Sequence, residues 1–161
     1  MMAAMDISSR IEFAAPVETV FAMMTDQAYL EEVCKASRAL NYEATVAGTT
    51  TRTSRRLSSP EAAARFTGPE LTVVEEITWD SAAGDGTRTG QVDLTIPGQP
   101  VTMRGEMKLY AGGPGTVAEL TGELKVAIPL LGRKLEQSSA PAVLAGFRTQ
   151  QQVGNDWLAR I

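Results

Sequence analysis

The sequence predicts an α+β fold in which one antiparallel sheet is closed by a long C-terminal helix. Three observations carry this. Period-two alternation between an apolar and a polar face recurs at 5–14, 71–79, 101–110 and from Gly115 onward, and 39–46, 49–58 and 87–96 read as further strands between them. Turns such as Ala47-Gly48, Pro97-Gly98-Gln99-Pro100 and Gly112-Gly113-Pro114-Gly115 join successive stretches, as in an antiparallel meander. After Pro129 the strand signal stops. About 31 residues of helix, roughly 46 Å, are then left to cross the sheet.

In chain order, Met5, Ile7, Ser9, Ile11 and Phe13 alternate with Asp6, Ser8, Arg10 and Glu12 in a first strand. Pro16 suits the first turn of a helix whose apolar positions are Val17, Val20, Phe21 and Met24. Asp26 is placed to cap a second helix, AYLEEVCKAS, with a stripe of Leu30, Val33 and Cys34. The stretch Ala39–Val46 and threonine-rich TTTRTSRRLS form a hairpin. Residues 59–69 are a loop with a helical turn at EAAARF. In the next strand Leu71, Val73, Glu75, Ile77 and Trp79 share one face; in 101–110 Met103, Gly105, Met107 and Leu109 do. The closing strand, TVAELTGELKVAIP, sets Ala118, Leu120, Gly122, Leu124, Val126 and Ile128 against Thr121, Glu123 and Lys125.

The terminal segment is expected to face the sheet with Leu131, Leu135, Val143, Phe147, Trp157, Leu158 and Ile161. Pro141 should interrupt or kink it, with Ser138 or Ser139 capping a second helix from near Ala140. Gln150, Gln151 and Gly154 stand where bulk is expected, so the middle reads as underfilled. The segment then resembles one wall of a container.

At 161 residues a single domain over 1–161 is expected, large enough to bury about 70% of its unfolded surface. A net charge of −4 argues against nucleic acid as a partner. No apolar run reaches transmembrane length, and MMAAMDISSRIEF lacks the basic and apolar regions of a signal peptide. The one cysteine, Cys34, fits a reducing cytosol and excludes an internal disulfide. There is no histidine, which removes imidazole-dependent triads and nearly excludes zinc. No cofactor or metal is expected.

The order of elements, with PVETVFAMMTDQAYL, GPELTVVEEITW, DGTRTGQVDLTIPG and GELKVAIPLLGRKLE, resembles the superfamily of START domains, aromatic polyketide cyclases and the birch-pollen allergen. More narrowly the chain looks like an actinobacterial family, domain of unknown function 2505. The resemblance implies a helix-grip fold, a curved seven-stranded antiparallel sheet around a long C-terminal helix. It also implies a pocket for something apolar, and no assigned reaction.

Cys34 lies on an apolar stripe and reads as a buried, inert thiol. The glycine clusters AGDGTRTG and AGGPG lack the lysine and following helix of a phosphate loop and read as turns. Arg52, Arg55 and Arg56 split between two strand faces. Glu75 is the exception, a carboxylate among apolar neighbours. On the inward face it would pair with Arg55 or be left with a raised pKa. Such a pair could orient a ligand, serve as acid and base, or be purely structural, or the strand ends could open to water; Tyr42 and Tyr110 are further donors or pack with their hydroxyls at a rim. Met23, Met24, Met103 and Met107 are core residues that also suit an adaptable cavity wall, and Gly105 and Gly122 mark a bend or leave room. The cavity is expected to be lined by Arg55, Val73, Glu75, Ile77, Met103, Gly105, Met107, Leu120, Leu124, Phe147, Gln151 and Trp157. The function expected first is binding or carriage of a hydrophobic, lipid-like or polycyclic small molecule. The alternatives are a cyclase- or dehydratase-type enzyme using Glu75, Arg55 or a tyrosine, and a protein-interaction module.

Overall fold

The computed structural model describes residues 4–61 and 63–161. Residues 1–3 of the segment weighed as a signal peptide, and Ala62 of the EAAARF turn, lie outside the described residues. The elements are β1 (Met5–Phe13), α1 (Val17–Met24), α2 (Gln27–Ala36), β2 (Asn41–Ala47), β3 (Thr50–Ser58), α3 (Ala64–Thr67), β4 (Glu70–Trp79), β5 (Arg88–Thr95), β6 (Val101–Gly112), β7 (Gly115–Val126) and α4 (Gly132–Leu158). The strands form one antiparallel sheet in the order β1-β7-β6-β5-β4-β3-β2. From β2 to β7 each strand pairs with the next; α1 and α2 carry the chain from β1 at one edge to β2 at the other. The expected α+β helix-grip architecture is observed.

Local chemistry accounts for the helix ends. The Pro16 carbonyl accepts from the Thr19 and Val20 N–H groups at 3.0 Å each, so proline stands just before the helix rather than in it. The Asp26 carboxylate accepts from the Ala28 N–H at 2.8 Å and caps α2 as expected. At the other end of α2, Arg38 N–H donates to the Lys35 carbonyl and Ala39 N–H to that of Cys34, a Schellman ending. It places Arg38 at φ 61°, a conformation that favours glycine. Arg38→Gly is therefore expected to stabilise the fold by up to about 1 kcal/mol, read as a raised urea midpoint. Helix α1 is fastened to the sheet by Phe21, edge-on to Trp79 at 5.5 Å, and by Arg88, which lies over the Phe21 ring and bonds Glu18 at 2.6 and 3.0 Å.

Helix α4 departs from expectation in not being interrupted. It runs unbroken through Pro141, and no second helix begins near Ala140. The proline removes the partner of the Gln137 carbonyl, but Pro141 and Gln137 are both exposed, so water can satisfy that oxygen. Ser138 does not cap; its hydroxyl donates to the Lys134 carbonyl inside the helix at 2.9 Å. Ile161, expected to face the sheet, is 77% exposed beyond the helix end.

The first turns of α4 hold a residue no apolar pattern marks. Glu136 is buried, and its Oε2 accepts the Val126 N–H of β7 at 2.9 Å. Farther along, Gln151 Oε1 accepts the Glu12 N–H at 2.7 Å. Asn155 accepts from Ala14 N–H and donates to the Glu12 carbonyl, both at 3.0 Å. Polar side chains of the helix thus complete the backbone bonding of the edge strand β1.

Candidate functional site

Period-two alternation on β3 and β4 decides which side chains meet α4. Thr51, Thr53, Arg55 and Leu57 face inward with Leu71, Val73, Glu75, Ile77 and Trp79. In the register Thr53 stands opposite Glu75 and Arg55 opposite Val73. Arg55 and Glu75 are therefore diagonal neighbours, within reach of each other's long side chains. They are 7% and 8% exposed, with an N···O separation of 3.8 Å. That is an ion pair but too long for a hydrogen bond. Arg55 Nε and Glu75 Oε1 are both buried without a hydrogen-bond partner.

Beside this pair lies a cavity of about 330 Å³ between the sheet and α4. Leu57, Leu71, Val73, Leu94, Ile96, Val101 and Leu124 form its sheet wall, and Ala142, Val143, Gly146, Phe147 and Gln150 its helix wall. Pro60, Ala63 and Thr67 border it from the loop that carries α3. The space arises at Gly146, where an added Cβ would find no atom within 4 Å. Arg55, Glu75 and Gln150 also line a second hollow, of about 20 Å³, with Thr51, Thr53, Tyr29, Cys34, Ile77 and Met107.

Of the twelve residues expected at the cavity, Arg55, Val73, Glu75, Leu124 and Phe147 line the larger space, while Ile77 and Met107 line the smaller with the ion pair. The other five lie elsewhere. Met103 and Leu120 are 0% and 1% exposed and are spent on core packing. Gly105 stands opposite Gly122, and a Cβ on it would collide with the Thr121 carbonyl. It permits close approach of β6 and β7 and lines a hollow with polar residues such as Asp6, Asp93 and Arg104, away from the cavity. Gln151 is occupied by the β1 backbone, and Trp157 packs edge-on against Tyr29 at 6.0 Å. The underfilled stretch of α4 is likewise displaced. At Gly154 the Phe13 ring and Met23 already fill the space, and the gap lies two turns earlier at Gly146.

The expected tyrosine donors are also replaced. Tyr110 donates to Glu119, and Tyr42, opposite Arg55 on the edge strand β2, does not border the cavity. The tyrosine near the pair is Tyr29, 1% exposed, whose hydroxyl donates to the Gln150 carbonyl at 3.0 Å. Burial, and then the charge of Glu75, hold its phenol far above the usual range. Burial also pushes the Cys34 thiol up, so it stays an unreactive neutral group. Two sequence signals could have found these residues. Tyr29 and Val33 are spaced i, i+4 on α2, and Ala142, Ala145 and Gly146 are small residues one helical turn apart that border the cavity.

A curved seven-stranded antiparallel sheet gripping a long C-terminal helix is the helix-grip fold, here with a cavity between sheet and helix. Within it the chain belongs to the family described as "Protein of unknown function (DUF2505)", whose sequence profile matches residues 8–158. No curated protein matches the chain. Solved structures share the fold. TTHA0849 from Thermus thermophilus is 19% identical at a TM-score of 0.63, with 93% of this chain and 97% of that one covered. Ms6760 from Mycobacterium smegmatis is 13% identical at 0.63, with 98% and 92% covered. The Zhui aromatase/cyclase from Streptomyces sp. R1128 is 14% identical at 0.60, with 98% and 94% covered. Among the described residues, no helix is long and apolar enough to cross a membrane, and no group of three or more His, Cys, Asp or Glu could hold a metal ion.

Proposed function

We propose that the protein binds and carries a hydrophobic small molecule, lipid-like or polycyclic, in the cavity between the sheet and α4. The supporting observation is the 330 Å³ of space beside Gly146, walled by aliphatic side chains. Protein interiors are otherwise close-packed, and this volume lies at the lower end of ligand pockets. An apolar guest gains roughly 25 cal/mol per Å² of surface removed from water, so the reading requires no catalytic group. Solvent extraction and native mass spectrometry of the purified protein should show an apolar molecule bound in the folded state and released on unfolding. A protein that is always ligand-free and takes up no apolar probe would sink the proposal.

Gly146→Leu provides a second test. The new side chain grows into the cavity, and the helix exchanges glycine for a good helix former, worth about 1 kcal/mol. The variant is expected to melt roughly 2–4 °C higher than the ligand-free parent while losing ligand uptake. Uptake retained at parental affinity would place the ligand elsewhere.

A cyclase- or dehydratase-type reaction is the second reading, favoured by the meeting of Glu75 and Arg55 at the cavity. Glu75 would be its acid or base, without help from Tyr42 or Tyr110. Unchanged turnover in Glu75→Gln would remove this reading.

A further inference from the structure

The carrier reading leaves open what chemical end the guest presents, and the ion pair bears on it. Resting on that reading, we infer that the ligand carries a neutral head group that both donates and accepts a hydrogen bond, such as an alcohol, a phenol or a primary carboxamide. Free carboxylates and amines are selected against.

The argument starts from two buried atoms. Arg55 Nε is a donor without an acceptor, and Glu75 Oε1 is an acceptor without a donor. Both side chains are only 9% exposed, and both line the cavity. A closed structural pair would bring guanidinium and carboxylate to about 2.7–2.9 Å. Here they stand 3.8 Å apart, each with bonding capacity left over. A hydroxyl or carboxamide carries both the acceptor that Arg55 Nε lacks and the donor that Glu75 Oε1 lacks, and a small shift of the two side chains toward the cavity they line would open both atoms to it. A ketone, ester or ether can serve only Arg55 and leaves the carboxylate oxygen unpaired in a dry site, the costly outcome for a buried charge.

Charge narrows the class further. The titratable groups around the pair are Tyr29 and Cys34, with Arg55 and Glu75 themselves. The Tyr29 hydroxyl is committed to the Gln150 carbonyl, and burial keeps both it and the Cys34 thiol neutral. Arg55 and Glu75 cancel. The cavity therefore offers no net charge to a charged head. A carboxylate would set a second anion beside Glu75, and an ammonium a second cation beside Arg55, where low dielectric magnifies repulsion.

The test uses probes of one chain length: decanol, decanamide, decanoate and decylamine, each titrated into the full chain near neutral pH and followed by native mass spectrometry. Decanol and decanamide are expected to bind at least about tenfold more tightly than decanoate or decylamine. Glu75→Gln leaves the guanidinium uncompensated and should reverse the order, with decanoate overtaking decanol. If that variant does not fold, the ranking in the unaltered protein still decides. Equal affinities, or decanoate binding best to the unaltered protein, would overturn the head-group inference and leave the carrier reading standing. Failure of all four probes to bind would overturn the carrier reading and this inference with it.

Discussion

Glu75→Leu is expected to lower stability by about 3–5 kcal/mol, the range seen when one partner of a buried ion pair is removed. The reason is the residue left behind. Arg55 is 7% exposed, and without Glu75 its guanidinium has no counter-charge. The neighbours around the pair are apolar (Val73, Leu94, Ile77 and Met107) or neutral (Thr51, Thr53 and Gln150), so none can replace the lost charge. The double variant Arg55→Met, Glu75→Leu should recover most of the loss, compared directly by urea midpoint. Paired replacement of buried ions by apolar side chains of similar volume is commonly neutral or stabilising. A single-variant loss below about 1 kcal/mol would mean that water reaches the guanidinium, and the dry site on which head-group selection depends would not exist.

The second large effect lies where α4, β1 and α1 meet. Phe13 is 0% exposed and occupies the space that Gly154 leaves open. Phe13→Ala is expected to cost about 3–5 kcal/mol, through lost burial and the cavity it creates. Gly154→Leu drives a side chain into the Phe13 ring and to within 2.9 Å of the Met23 methyl, and should cost about 1–3 kcal/mol despite the gain in helix propensity. Combined, the two changes exchange volume across one contact. The double variant should be more stable than the sum of the single losses predicts by at least about 1 kcal/mol. Strict additivity, measured by denaturant unfolding, would show that the two residues do not share this space.

Much of the fold was legible because burial on a sheet follows a period of two. The alternation on 71–79 was enough to place Glu75 on the same face as Val73, and the alternation on 49–58 to place Arg55 with Thr53. The cap at Asp26 and the long helix after Pro129 were legible for equally local reasons. Whether Pro141 would interrupt the helix was not legible, because its effect depends on what surrounds the freed carbonyl. On an exposed face water satisfies it and the helix continues. Glu136 was missed because a charged side chain on a helix ordinarily marks the wet face, whereas this one bonds the last amide of β7.

By itself, then, the sequence determined the element order, the alternating faces of the strands and the helix-grip fold, and marked Arg55 and Glu75 as sharing faces with uncharged neighbours; that both turn inward was decided by the tertiary structure. Only the tertiary structure decided where the space is. Gly154 and Gly146 are both glycines on the helix that crosses the sheet, yet the first is filled by Phe13 from the opposite end of the chain and the second by nothing. Periodicity records which way a side chain points. Whether the space before it is occupied depends on residues brought there by chain segments far away in sequence, and on the curvature that sets their distance.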